Sequence, residues 1–273
     1  MKVALFPNFE RQGTAELFCK VAEILSSSDI KCYSDNKQNI VDVMPEQELY
    51  KNCDIIITIG GDGTLIKHAK EASKFSKLCL GINTGNLGFL ANVDKDTVEM
   101  LKKLKTGDYT TESRMMLEVT AKKDCNIIYS GTALNDAVVS SERVARIADI
   151  KLSVSGDEIA YRADGVIVST PTGSTAYSMS AGGPIIDPSV RCLTVTPVCS
   201  HSLTARPMIL SENSKIDIGV QNTSRAKAVL SVDGQHCAEI DFNTTVTLKK
   251  SDFDAKFINL TGSTIYKTVS KKF

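Results

Sequence analysis

The apolar run Ile55-Ile56-Ile57-Thr58-Ile59 empties directly into Gly60-Gly61-Asp62-Gly63-Thr64, and Leu65-Ile66-Lys67-His68-Ala69 follows at once. An unbroken apolar run of this length fits a strand covered on both faces, as in a parallel sheet with flanking helices. The expected unit is therefore a buried strand, a glycine turn and a helix starting near Leu65. Glycines in that position leave room for a phosphate-bearing ligand to approach backbone N–H groups and the positive end of the helix. Asp62 is out of keeping with a phosphate cradle, because a carboxylate repels such a ligand. Its presence suggests a chemical task, either taking a proton from a hydroxyl or helping to hold a metal.

The same texture extends over the first hundred or so residues. Strands are expected at Val3–Phe6, Ile30–Tyr33, Ile55–Ile59 and Leu78–Asn83, and helices at Thr14–Ser26, Leu65–Ala72 and Thr97–Lys105. After about residue 110 the pattern changes to short runs rich in Val, Thr and Ser separated by turn residues, which predicts an antiparallel, sandwich-like β domain. The fold class is α/β plus all-β: a Rossmann-like parallel domain over 1–105 and a β-sandwich over 106–254. The final segment, 255–273, is free to pack back on the first domain. A ligand is expected in the crevice between the two domains.

Bulk properties narrow the function. Lys plus Arg equals Asp plus Glu at 32 each, so no global basic field recruits nucleic acid or an anionic membrane. No apolar stretch reaches the roughly 20 residues needed to span a bilayer, and Met1–Phe6 reads as a first strand rather than a signal peptide. The 8 cysteines form no Cys-x-x-Cys pair, which points to reduced thiols, a cytosolic address, and neither a zinc site nor a disulfide framework.

Two more segments carry chemistry. Asp164–Pro184 runs from a strand into a long stretch of hydroxyl-bearing residues around Tyr177, ending in Gly182-Gly183-Pro184; such a loop suits a ligand rich in oxygens and ring nitrogens, such as a nucleotide. Its bland alternative is a Ser/Thr loop that solvates itself. Asn135-Asp136 interrupts an apolar context and should sit at a bulge or strand end. There an amide can read a base edge and a carboxylate can accept from ribose hydroxyls, or the pair is simply a turn. Lys67, one helical turn beyond Asp62, either points at a phosphate or is a solvated helix residue.

Taken together, these segments resemble the bacterial-type NAD kinase family, ATP-dependent 2′-kinases of nicotinamide adenine dinucleotide. The resemblance covers nearly the whole chain, including Asn83-Thr84-Gly85-Asn86-Leu87-Gly88-Phe89-Leu90, His201–Pro207 and Val232-Asp233-Gly234-Gln235. The Gly-Gly-Asp-Gly turn alone is shared with diacylglycerol and sphingosine kinases, and more loosely with phosphofructokinases. A lipid kinase and a non-enzymatic nucleotide sensor are the rival readings; the hydroxyl-rich loop argues against the first and Asp62 against the second.

The resemblance implies that Asp62 is the general base for the adenosine ribose 2′-hydroxyl. It places Gly60, Gly61, Gly63, Thr64 and Lys67 on the phosphate side, with Asn83 and Phe89 contributing from the segment that closes the nucleotide domain. Asn135 and Asp136 bind the dinucleotide, the acid being the shorter Asp where the family also uses Glu. Thr172, Thr175, Ala176, Tyr177, Ser178, Met179 and Ser180 form the adenine-side loop. Asp164 reaches a neighbouring subunit's ligand, with Arg162 beside it, and Arg146 and Gln235 touch ligand in some members. His201 and Arg206 are read as structural. The implied substrates are NAD and ATP with magnesium carried by ATP, and the implied assembly is a homo-oligomer, dimer or tetramer, with shared sites. No nucleic acid or membrane partner is implied.

Overall fold

In the computed structural model, which describes all residues except 37–39, 86–87, 143–146, 203, 222–226 and 273, the apolar run is the centre of a parallel sheet. In chain order the first elements are β1 (Lys2–Pro7), α1 (Thr14–Ser27), β2 (Lys31–Ser34), β3 (Asp42–Val43), α2 (Glu46–Asn52), β4 (Ile55–Gly60) and α3 (Asp62–Ser73). They are followed by β5 (Leu78–Asn83), β6 (Val93–Asp94), a 3-10 turn Val98–Lys102 leading into α4 (Lys103–Thr106), and β7 (Thr110–Arg114). β3, β2, β1, β4 and β5 lie side by side in parallel, and β6 pairs with β5. All six residues of β4 are buried, as a strand covered on both faces requires.

The strand period of two decides what each face packs against. Val3, Leu5, Ile55, Ile57 and Ile59 share a core with Leu17, Phe18, Val21 and Leu25 of α1 and with Val98, Leu101 and Leu104. On the other face Phe6 stacks on His68 of α3 at 4.0 Å and on Tyr50 of α2 at 5.3 Å. The Tyr50 hydroxyl lies 2.6 Å from His68 Nδ1 and donates to Glu46 Oε1 at 3.0 Å. Burial pushes the His68 imidazole down to about 4, so it stays neutral inside this face.

The middle of the chain is all β. It contains β8 (Leu117–Lys123), β9 (Asn126–Ala133), β10 (Asp136–Ser141), β11 (Ala148–Val154), β12 (Asp157–Ala163) and β13 (Gly165–Ser169). A 3-10 turn Gly173–Thr175 and the one-turn α5 (Tyr177–Ser180) precede β14 (Cys192–Val198), β15 (Met208–Ser211), β16 (Ile216–Val220), β17 (Ala228–Val232), β18 (Gln235–Ile240) and β19 (Thr244–Lys250). Two six-stranded sheets result, ordered β15-β14-β13-β10-β17-β18 and β12-β11-β16-β19-β8-β9. Their registered pairings are antiparallel. Alternating residues from both sheets, among them Val139, Val168 and Leu230 from one and Val119, Ile150 and Val246 from the other, form a single apolar core, which makes the pair a sandwich.

The chain then returns. β20 (Ala255–Asn259) pairs in parallel with β5, between β5 and β7 in the first sheet, and α6 (Ile265–Lys272) follows. The chain thus divides into two units, Met1–Ser113 with Ala255–Phe273, and Arg114–Asp254. The eight cysteines are all free thiols. Among the described residues, no helix is long and apolar enough to cross a membrane.

Candidate active site

The helix after the glycine turn begins at Asp62 rather than at Leu65. Gly61 is its N-cap, extended at φ −109° and ψ −179°, and its carbonyl accepts from Thr64 N at 3.0 Å and Leu65 N at 3.2 Å. The N–H groups of Asp62 and Gly63 therefore lie in the first helical turn, where no intrahelical acceptor exists. Asp62 is thus not an acid at the crest of a loop. It is a first-turn carboxylate next to the positive helix end, a favourable place for negative charge.

Its charge is also met by donors. Asp62 Oδ2 accepts from Phe89 N at 2.8 Å and Leu90 N at 3.4 Å, and Oδ1 accepts from Ala91 N at 3.1 Å. A carboxylate offers roughly four lone-pair sites, so one remains for a ligand hydroxyl. The approach is so close that a Cβ at Gly88 would overlap both carboxylate oxygens. This grip, made by the backbone of the 88–91 segment, is what makes Asp62 fit the turn.

The rest of the first-unit set gathers around it. Gly60 pairs with Asn83 across β4 and β5, and Thr84 N donates to Gly60 O at 3.1 Å. Asn83 is buried and its Oδ1 accepts from Gly85 N at 2.9 Å, so it shapes the second turn. Thr64 Oγ1 accepts from Asn8 Nδ2 at 3.3 Å. Phe89 is half-buried, with Lys272 Nζ 4.4 Å above its ring. Lys67 is exposed; burial, and then the Glu46 charge, raises the Asp35 carboxyl above its usual range, and the Lys67 charge only partly offsets this.

In the second unit three loops meet at one end of a sheet. Asp136, the first residue of β10, pairs with Ser169, the last of β13, while Ala137 pairs with Val232, the last of β17. Asn135-Asp136 thus stands at a strand end, as two poor strand formers should. The loop leaving β13 is bonded to this corner: Thr170 N donates to Asn135 O at 2.9 Å and Thr170 Oγ1 to Leu134 O at 2.6 Å. Gly173 lies against the Asn135 backbone, where a Cβ would overlap the carbonyl oxygen. From the third loop, Asp233, in left-handed backbone at φ 47°, accepts from Asn135 N at 2.8 Å, Asp136 N at 3.3 Å and Leu134 N at 3.1 Å.

Asp136 is the opposite case from Asp62 and Asp233. It is 4% exposed, and among the described residues none donates to its carboxyl. Burial, and then the negative charge of Asp233, pushes its pKa up to about 7. A buried carboxyl without a donor is costly unless a ligand supplies one.

The hydroxyl-rich loop divides into two. Ser178 is fully buried with its hydroxyl 3.0 Å from Thr196 Oγ1, and Ser174 Oγ donates to Pro171 O at 2.6 Å and accepts from Ile186 N at 3.0 Å. Ser178, expected at the ligand, therefore knits the loop instead. Thr172 is buried too, and its carbonyl accepts from Thr175 Oγ1 at 3.2 Å. The accessible side consists of Thr175, Ala176 and Met179, all partly exposed, with Ser180 exposed and Tyr177 47% exposed. Gln235 is exposed at the same sheet end, opposite Val232 across the Asp233-Gly234 turn.

Two expected residues lie elsewhere. Ser141 N donates to Asp164 O at 2.8 Å and Asp164 N to Val198 O at 3.0 Å, which puts Asp164 at the far end of β10 and β13 from Asp136. Arg162 is exposed on β12 with Nε 3.2 Å from Asp149 Oδ1. Within one chain neither joins the Asn135-Asp136 corner. Arg206 donates to Ala205 O at 2.8 Å, and His201 contributes its backbone N–H to Arg162 O at 2.8 Å. Arg146 lies outside the described residues. Gly88 and Asp233 carried no assigned role in the sequence, although both stand in segments it singled out.

Comparison with known proteins identifies the family. The family model described as ATP-NAD kinase N-terminal domain matches residues 6–109, and that described as ATP-NAD kinase C-terminal domain matches 134–260. An NAD kinase of Natranaerobius thermophilus is 35% identical, covering 99% of this chain and 96% of the relative. One from Acetivibrio thermocellus is 37% identical, covering 100% and 96%. Among solved structures, a yeast NADH kinase complexed with NADH superposes with a TM-score of 0.86 at 26% identity, covering 99% of this chain and 85% of that one. An NAD kinase from Archaeoglobus fulgidus in complex with ATP gives 0.78 at 27% identity, covering 100% and 98%. With both domains matched and these relatives aligned almost end to end, the chain belongs to the NAD kinase family.

Proposed function

We propose that the protein transfers the γ-phosphoryl group of ATP to the 2′-hydroxyl of the adenosine ribose of NAD, giving NADP and ADP. The observation that carries the reading is the Asp62 carboxylate, fixed by three amides with one lone-pair site left over, in the first turn of a glycine-capped helix. In the reaction the 2′-oxygen forms a bond to the γ-phosphorus while the bond from that phosphorus to the β,γ-bridging oxygen breaks. Asp62 receives the hydroxyl proton, and the leaving oxygen departs with ADP. Magnesium enters with ATP as part of the substrate and neutralises charge on the phosphates.

Carboxylates in general are weak bases towards an alcohol. The main contribution of Asp62 is to orient the hydroxyl for in-line attack, since alignment and charge neutralisation dominate phosphoryl transfer. Gly60, Gly61, Gly63, Thr64 and Asn83 form the phosphate side. Asn135, Asp136, Gln235 and the accessible face of Thr175–Ser180 hold the dinucleotide. Asp164 and Arg162 complete a neighbouring subunit's site in a homo-oligomer, which accords with their distance from Asp136 within one chain.

The direct test incubates the purified protein with NAD and magnesium-ATP and couples the product to an NADP-specific dehydrogenase. NADP and ADP are expected in equal amounts; absence of NADP rejects the reading.

Asp136 adds a pH dependence. With its pKa raised to about 7, it is a charged acceptor above that pH and a neutral acid below it. KM for NAD should therefore rise several-fold as pH falls from about 8 to about 6. The Asp136→Asn variant should have a high KM throughout and a flat profile over that range. A profile of unchanged shape in the variant would remove Asp136 from NAD binding.

A further inference from the structure

We propose that Arg11, in the loop between β1 and α1, is the cation that grips the phosphate chain of the donor nucleotide at the glycine turn. The inference rests on the kinase reading and adds to it a residue that no sequence motif indicated. The loop is tied to the turn at several points. Asn8 N donates to Ile59 O at 2.8 Å, Asn8 Nδ2 to Thr64 Oγ1 at 3.3 Å, and Arg11 N to Asn8 O at 3.1 Å. These bonds carry the Arg11 side chain onto Gly61. A Cβ at Gly61 would lie 2.7 Å from Nη2 and 2.8 Å from both Cζ and Nη1, and one at Gly85 would lie 4.0 Å from Nη1. The guanidinium thus sits beside both glycine turns that end β4 and β5.

It has no protein acceptor there. Among the described residues Arg11 makes no side-chain hydrogen bond or ion pair, although Asp62 is the residue next to Gly61. The Asp62 oxygens are engaged by the 89–91 amides instead. A guanidinium carries five N–H donors in a planar fork matched to phosphate oxygens. Left exposed beside the first-turn amides of a 12-residue helix, it adds positive charge where Asp62 would otherwise repel a polyanion.

The experiment compares wild type with Arg11→Gln and Arg11→Lys by steady-state kinetics and by calorimetric binding of inorganic tripolyphosphate. Arg11→Gln should raise KM for magnesium-ATP roughly ten- to a hundredfold, the range for losing a charged hydrogen-bonding partner. KM for NAD should stay within about twofold, and the melting temperature should be unchanged because the side chain has no protein partner. Arg11→Lys should fall between, keeping charge but not the fork. Tripolyphosphate should bind wild type and lose affinity in Arg11→Gln by a similar factor. An active Arg11→Gln with unchanged KM for ATP and unchanged tripolyphosphate affinity overturns the role of Arg11 and leaves the kinase reading standing. Arg11-dependent tripolyphosphate binding by a wild-type protein that makes no NADP supports Arg11 and overturns the acceptor reading.

Discussion

Replacing Asp62 with Asn is expected to lower kcat by about three orders of magnitude, within the range that general-base and orienting groups supply. Affinity for NAD, measured calorimetrically without ATP, should change by no more than several-fold, because the proposed dinucleotide contacts come from Asn135, Asp136 and the Tyr177 loop. Part of the loss is chemical: a carboxamide oxygen cannot take the hydroxyl proton. Part is geometric. Both Asp62 oxygens face N–H donors, from Phe89 and Leu90 on one side and Ala91 on the other. In the Asp62→Asn variant the new amide NH2 must face one of them, donor against donor, which loosens the 88–91 segment. Wild-type-like turnover in this variant would remove Asp62 from the chemistry.

The second large effect is expected at Gly173. An added Cβ would overlap the Asn135 carbonyl oxygen and lie 2.5 Å from its carbonyl carbon and 2.8 Å from its Cα. All three are backbone atoms, so no rotamer change relieves the collision. The backbone of 170–173 or of 134–136 has to move, breaking bonds such as Thr170 N to Asn135 O. Gly173→Ala should cost about 3 kcal/mol of stability, as overpacking against immovable neighbours does. It should also weaken NAD binding by about a hundredfold through displacement of Asn135 and Asp136. Gly219→Ala serves as control: its nearest contact is the Thr244 carbonyl oxygen at 3.6 Å, an ordinary van der Waals distance, and its effect should be within about 0.5 kcal/mol. Chemical denaturation and calorimetry on the two variants decide the matter. Equal stability and NAD affinity in both would show that the 170–173 loop is not built on Asn135.

These effects bear on how much could be read from the chain alone. The buried strand at β4 was legible because a continuous apolar run has few ways to be covered, and α1 because its apolar positions recur at helical spacing. The strand end at Asn135-Asp136 followed from two residues that disfavour sheets. Other elements left weak signals. α3 starts at Asp62 behind a glycine N-cap with no side-chain cap, so the familiar Ser/Thr/Asp cap pattern is absent. β7 has no buried residue, and α6 buries only Thr268, so neither carries the continuous apolar run that marks a core element. α2 is seven residues long and enters after Pro45.

The sequence pointed to candidate reactive side chains but not to what holds them. Asp62 looked electrostatically misplaced because its partners are backbone amides of 89–91, which have no sequence signature. Asp233 is joined to Leu134, Asn135 and Asp136 in the same way, across about a hundred residues. Arg11 falls beside Gly61 only once β1 and β4 are neighbours. Composition likewise could not separate the buried hydroxyl of Ser178 from the accessible Ser180 in one serine-rich loop.

Asp62 is proposed to serve phosphoryl transfer to one hydroxyl, the 2′-hydroxyl of the adenosine ribose. Phosphorus NMR of the product made from NAD and magnesium-ATP tests it most directly, with wild type and Asp62→Asn run side by side. A single new monoester at the ribose 2′ position is expected, one per ADP released, formed by wild type and nearly absent with the variant. A phosphate at another position, or the same 2′ product formed by Asp62→Asn at the wild-type rate, would contradict it.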